Sequence, residues 1–480
     1  MRLDEYANHD GLGLAESIRK KEVTATELAE LVLAGVERLN PEINAVIEIF
    51  EDRVETPDEG LNPDGPFAGV PIFLKDLGAS EAGRKQELGS RLCKGRAAGV
   101  TTYLTERFKE AGFNIIGRTT TSEFGQSGNT DSALMGRTRN PWDMTRSPGG
   151  SSGGTAAAVA SGILPLSHGS DGGGSIRIPA ASCGLVGLKP SRGRITLGPL
   201  RDESMFGLAV EFALSRSVRD TAALLDIVSR PAPGDPFVIT QPVTPFSSQI
   251  GAPVDPLHIA FTTESWTGVD VDEEAVAGVK RIATACESMG HQVEEISLRF
   301  DENIYDQNID VIWSTAMADS CDRLANEMHR EISKKTLDAV NFRAYREAKR
   351  VTAAELLAAL ASWNGVRRKV GELFTQHDVL ITPTINGPAV EKSFASTNQD
   401  ITYEEWLIQE GQAWPFTGLF NITGNPAISL PLMQSESGLP IGIQFVSRFG
   451  DEEMLIRIAS VFEEAMPWKD RTPSVHVSSP

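Results

Sequence analysis

The chain has 480 residues, 40% of them hydrophobic, and a formal net charge of −20. That much apolar material in so long a chain supports a large buried core and excludes a disordered protein. The acidic balance excludes a nucleic-acid groove, which needs clustered Lys and Arg, and reads as a solvated, solubilising surface.

Taken in chain order, the first twenty residues carry Asp4, Glu5, Asp10 and Glu16 without an apolar core, so they are not a secretory signal. Residues 24–39 form an amphipathic helix: Thr24 N-caps it, Glu27 completes a capping box, and Leu28, Leu31, Val32 and Leu39 share a face before Pro41 stops it. Strand-like runs follow at 45–49, 70–74 and 114–116, with a helical pattern at 101–111 between the last two. A small-residue stretch from Thr155 to Ser161 reads as a helix packed closely against a neighbour. The Pro-rich stretch 232–256 lacks periodicity and reads as a long surface connection. Beyond it come a strand at 259–261, a helix at 273–289 and a strongly helical segment, 301–376, carrying Trp313, Tyr345 and Trp363. Strands at 379–382 and 441–446 precede a tail, 471–480, expected to fray.

Alternating strands and helices argue for a layered α/β fold with a mostly parallel or mixed sheet. Strand signals on both sides of 232–256 belong to one sheet, so the chain reads as a single domain. Its parts are an N-terminal helical segment (10–40), a core (45–230), a helix-rich cap (301–376) and a C-terminal sheet segment (378–470). Cys93, Cys183, Cys286 and Cys321 are scattered without metal-ligand spacing and read as reduced, buried thiols. No apolar run approaches the roughly 20 residues that span a bilayer. The expectation is a soluble, cytoplasmic protein that binds neither membrane nor nucleic acid.

Three stretches carry chemistry. Ser147-Pro148-Gly149-Gly150-Ser151-Ser152-Gly153-Gly154 and Gly169-Ser170-Asp171-Gly172-Gly173-Gly174-Ser175-Ile176-Arg177 each present serine from glycine-lined backbone, where amides can face a ligand. Upstream, Lys75 ends the apolar run Val70-Pro71-Ile72-Phe73-Leu74. A phosphate-binding Walker loop needs Gly-Lys-Ser/Thr, whereas Thr155 directly follows the glycines here. Gly150-Ser151-Ser152-Gly153-Gly154 also fits a G-x-S-x-G nucleophile elbow, with His377 or His476 as base, although the segment before it is polar and turn-like.

The three stretches, with Cys183-Gly-Leu-Val-Gly-Leu-Lys-Pro190, Asp378-Val-Leu-Ile-Thr-Pro-Thr384, Asn425-Pro-Ala-Ile-Ser-Leu-Pro431 and Pro440-Ile-Gly-Ile-Gln444, resemble the amidase signature family over most of the chain. The resemblance implies one α/β/α sandwich around a long twisted mixed sheet. It implies Ser175 as nucleophile, with Ser151, preceded by a cis peptide, bridging it to Lys75. The base must be neutral, and burial beside Ile72, Phe73 and Leu74 would lower its pKa. The amides of Gly172, Gly173, Gly174 and Ser175 are the expected oxyanion hole, braced by Asp171 and Arg177. The stretch 123–128, with Phe124, Gly125 and Gln126, is expected beside the acyl pocket; 313–317 and 414–420 are further wall candidates. His168 is expected to be packed or hydrogen-bonded, and Ser152 to bond local backbone.

The implied reaction is hydrolysis of a small linear, aryl or cyclic carboxamide through an acyl-enzyme, without metal or organic cofactor, with ester cleavage as a side activity. Parts of the sequence look closest to bacterial cyclic-amide hydrolases. A homodimer is an assembly left open. The alternative is a glutamine-dependent amidotransferase component that works with partner subunits, but that branch carries Arg-Gln-Pro where this chain has Arg177-Ile178-Pro179. Two further departures from the family pattern are Gly172, usually Thr or a larger apolar residue, and Thr120, usually Asn.

Overall fold

In a computed structural model, which describes residues 1–57, 61–300 and 308–479, eight strands form one mixed sheet. Their order is Gln292–Glu295, His258–Phe261, Val379–Pro383, Pro440–Ser447, Ala427–Gln434, Val186–Lys189, Val210–Ser215 and Leu166–Asp171. The first three run parallel and the remaining pairings are antiparallel. Val379–Pro383 and Pro440–Ser447 are buried along their whole length, as continuous apolar runs covered on both faces should be.

A second sheet of three strands, Val46–Ile49, Asn114–Thr119 and Pro71–Lys75, extends the first. The two meet through side chains where Pro71–Lys75 lies beside Leu166–Asp171. The Ser167 hydroxyl accepts from Phe73 N–H (3.1 Å) and donates to Phe73 C=O (2.6 Å), standing in for a rung of the ladder. The Lys75 N–H donates to His168 Nδ1 at 3.2 Å. This junction sets Lys75 opposite residues 168–170.

Several expectations are corrected in detail. The first long helix is capped as expected by Thr24 and Glu27 but runs Ala25–Ile43, through Pro41. Proline this near a helix end forfeits one hydrogen bond without ending the helix; the stop is Asn44, in the left-handed region at φ 49°. The strand expected at 114–116 continues to Thr119, because Arg118 is satisfied by Glu48 and Glu87 as well as Asp76. The tail does not fray: Val477 is buried, its N–H donates to Ser161 C=O at 2.9 Å, and Arg38 donates to its carbonyl.

The helix-rich segment comprises Asn308–Met328, Ala339–Ala348 and Ala353–Gln376; its expected first positions, 301–307, lie outside the described residues. Residue 480 of the tail lies outside them too. The stretch 232–256 holds one short turn of 3-10 helix, Phe246–Gln249, and no strand. All four cysteines are free and buried. Among the described residues no helix is long and apolar enough to cross a membrane.

Candidate active site

The helix Gly153–Ala160 is buried at every residue. Only small side chains fit there: a Cβ on Gly153 would strike Thr130, and one on Gly154 would strike Thr120. Ser151 and Ser152 stand at its entry, and the peptide bond between Gly150 and Ser151 is cis. Thr130 ties this turn down, donating to Gly149 C=O at 2.9 Å and accepting from Gly153 N–H at 3.0 Å. The Ser152 hydroxyl bonds the backbone of Ser170. His377 and His476 are engaged elsewhere, by Glu294 and Ser478 respectively, so Ser152 has no histidine base and the elbow reading is corrected.

Lys75 ends its strand inside the protein, 1% exposed. Its Nζ donates to Ser151 Oγ at 2.7 Å and to Ser170 Oγ at 2.9 Å. Burial lowers its pKa from the ordinary lysine value to about 7, against the opposing pull of the Glu211 and Asp171 carboxylates. An amine so placed is substantially neutral near neutral pH and can accept a proton. No sequence motif singles out Ser170. The signal was strand alternation: His168 and Ser170, two apart on Leu166–Asp171, both meet Lys75. His168 accepts from the Lys75 N–H through Nδ1, so Nε2 carries its proton and faces Glu211 at 3.3 Å.

The second glycine-rich loop is held from beneath. Asp171 and Arg177 are both fully buried and joined by two hydrogen bonds of 2.9 Å. Arg177 also donates to Thr417 C=O, Gln444 Oε1 and Asn421 Oδ1, so all five of its N–H donors are used. Burial opposes the Asp171 charge, but Arg177 prevails and holds its pKa down to about 2. Asp171 in turn accepts from the Gly174 N–H (2.8 Å) and the Ile176 N–H (3.2 Å). This corrects the four-amide oxyanion hole: the Gly174 amide is committed to Asp171. Among the described residues the N–H groups of Gly172, Gly173 and Ser175 have no acceptor.

Ser175 is 7% exposed. Among the described residues its hydroxyl has no hydrogen-bond partner, and Ser151 Oγ is bonded to Lys75 alone. The structure thus joins Lys75 to Ser151 and leaves the Ser151–Ser175 link unclosed; such links commonly tighten only in a substrate complex.

Of the expected pocket residues, Gly125 comes nearest the serines. A Cβ there would lie 3.2 Å from Ser151 Oγ and 2.6 Å from Leu77 Cδ2, and its φ of +71° is glycine territory. Phe124 packs in an apolar cluster with Met317, with Leu77 against it, while Gln126 is buried. Phe416 and Phe420 pack edge-on against Trp266 and are core, which narrows the 414–420 wall to Trp414, against Gly128, and Thr417, which donates to Gly173 C=O. Thr120 bonds Thr138 at 2.7 Å and Ala45 C=O at 2.9 Å, filling its site as a structural residue.

A buried lysine on a serine hydroxyl, beside a second serine in a glycine loop braced by an Asp–Arg pair, sets this molecule among the amidase-type hydrolases. The family model named Amidase matches residues 27–456, and the chain belongs to that family. It is a hydrolase acting on carbon–nitrogen bonds. The 6-aminohexanoate-cyclic-dimer hydrolase of Paenarthrobacter ureafaciens is 36% identical over 480 residues, covering 97% of this chain and 96% of that protein. A solved structure of 6-aminohexanoate cyclic dimer hydrolase matches with a TM-score of 0.91 at 34% identity, over 98% of this chain and 99% of the other. A component of the glutamyl-tRNA(Gln) amidotransferase of Thermotoga maritima is a more distant neighbour, at TM-score 0.75 and 26% identity over 100% of this chain and 98% of the other.

Proposed function

We propose that the chain hydrolyses a small linear, aryl or cyclic carboxamide through an acyl-enzyme on Ser175. The observation that carries this reading is Lys75, buried and depressed to about 7, on the Ser151 hydroxyl. Neutral Lys75 takes the Ser151 proton as Ser151 takes that of Ser175, and Ser175 Oγ attacks the carbonyl carbon. The N–H groups of Gly172, Gly173 and Ser175 receive the developing oxyanion. Collapse breaks the C–N bond, with the proton returning through Ser151 to the leaving amine. Water then cleaves the ester by the same relay, releasing carboxylate and restoring Ser175.

Likeness to the cyclic-dimer hydrolase over nearly the whole chain favours a cyclic amide of polymethylene units. A linear aliphatic or aryl amide is the second reading, since the relay places no demand on ring closure. Glutamine with partner subunits is disfavoured at Ile178, which packs among Ala181, Ile385, Ala395 and Trp414; a Gln side chain there would bury its amide in apolar surroundings. Four buried, unpaired cysteines favour a reducing compartment such as the cytoplasm.

The test is hydrolysis by the purified chain of a panel: the 6-aminohexanoate cyclic dimer, an aliphatic amide, an anilide and glutamine. Turnover of any non-glutamine amide supports an autonomous amidase. Silence on all of these, with glutamine cleaved only once partner subunits have been supplied, overturns it.

A further inference from the structure

Gly172 and Gly173 have backbone conformations that any residue can adopt, unlike Gly174, whose φ is +139°. The space beside them is what is contested. A Cβ on Gly172 would lie 3.3 Å from Trp313 Cη2 and 3.5 Å from Met205 Sδ. One on Gly173 would lie 3.3 Å from Cη2 and 3.4 Å from Cζ3 of the same indole. The six-membered edge of Trp313 therefore lies across both glycines. Trp313 is half-buried, on the helix Asn308–Met328, and packs with Met205 against the apolar cluster around Trp266 and Ile312.

We propose that Trp313 and Gly172 form one specificity element, an apolar wall over the oxyanion amides that admits carboxamides with an unbranched α-methylene and rejects those branched at that carbon. The inference rests on the acyl-enzyme reading of Ser175. A carbonyl oxygen held by the Gly172 and Gly173 amides brings its α-carbon under the indole edge. A CH2 there gains hydrocarbon contact, whereas an additional methyl meets the ring.

The experiment compares hexanoyl anilide with its α-methyl analogue on wild type, Trp313→Ala, Trp313→Phe, Gly172→Ala, Gly172→Thr and Trp313→Ala/Gly172→Thr. Trp313→Ala is expected to lower kcat/KM for the straight chain about tenfold and to narrow the straight-to-branched ratio by about tenfold, the scale set by one methyl in a fitted pocket. Trp313→Phe retains the order of preference. Gly172→Thr alone depresses both substrates, and the double variant recovers activity over Gly172→Thr because the threonine takes the volume the indole leaves. An unchanged ratio in Trp313→Ala, or strictly additive losses in the double variant, overturns the inference. Should Trp313→Ala fail to fold, the ratio in Gly172→Ala decides, and no change there counts against it. Labelling of Ser175 by a fluorophosphonate separates the two readings: Ser175 unlabelled sinks the acyl-enzyme reading itself, while Ser175 labelled with the ratio unchanged sinks only this one.

Discussion

Lys75 Nζ meets Ser151 Oγ at 2.7 Å where each residue is only 1% exposed to solvent. Taking an ammonium out of water costs free energy that a hydroxyl partner does not offset, so burial shifts the equilibrium toward the neutral amine. The same burial that would be a liability in a structural lysine makes this one a base.

The acid limb of the pH profile follows from it. Activity requires neutral Lys75, so kcat/KM should rise with unit slope up to about pH 7 and level off above it. The sign is fixed by the direction of the shift: an unperturbed lysine, near 10.4, would still be gaining activity well above pH 9. Initial rates across pH 5 to 10 on any amide turned over check it, and a limb still rising at pH 9 would contradict a depressed Lys75.

Ser170 accepts the second Lys75 hydrogen bond, at 2.9 Å, and is a positioning residue. Ser170→Ala should lower kcat by about tenfold, the scale of one hydrogen bond to a charged or reacting group, with KM little changed. The charged amine loses an acceptor in the variant, so the acid limb should also move to lower pH. A residue with a merely packing role would leave that limb in place.

Asp171 and Arg177 hold the nucleophile's loop, and breaking the pair should be felt in stability as well as rate. Arg177→Ala leaves a fully buried carboxylate uncompensated, at a cost of about 3–5 kcal/mol, read from urea unfolding. Asp171 has a folded pKa lowered to about 2 against roughly 3.9 when unfolded. Its stabilising contribution is therefore complete above about pH 4 and lost as pH falls toward 2. Asp171→Asn should flatten that part of the stability profile; an unchanged profile would assign acid sensitivity to other carboxylates.

The contrast between Ser151 and Ser170 shows what was legible in the sequence. Lys75, Ser151, Asp171 and Arg177 sit in words whose glycines have local causes, and the alternation of strands and helices announced the mixed sheet. Ser170 lay unread inside one of those words because its role depends on which strand lies opposite, and Ser167 sets that across two sheets. Pro41 misled for a related reason: helix-stop rules describe local propensity, while the C-terminal turn is secured by Asn40, whose side-chain amide and carbonyl bond Val46 and Ala45. The commitment of the Gly174 amide to Asp171 was equally invisible, since three adjacent glycines look alike until one bond singles out the third.

Gly125 offers the most direct test of how tightly the site is built. Its φ of +71° penalises any L side chain by roughly 1–2 kcal/mol, and an added methyl would sit 3.2 Å from Ser151 Oγ and 2.6 Å from Leu77 Cδ2. Leu77 Cδ2 is the end of a partly buried side chain and can swing aside, so the strain falls on the left-handed backbone and on the contact with Ser151 Oγ, which must give by a few tenths of an ångström. A misplacement of 1 Å at a reacting group costs on the order of 10²-fold in rate, which sets the upper bound for the smaller shift expected here. Gly125→Ala should therefore keep the wild-type circular dichroism spectrum, lose about tenfold in kcat and react with a fluorophosphonate correspondingly more slowly. Retained turnover in a folded Gly125→Ala would mean that the 123–128 stretch does not buttress Ser151, and its place beside the acyl pocket would have to be given up.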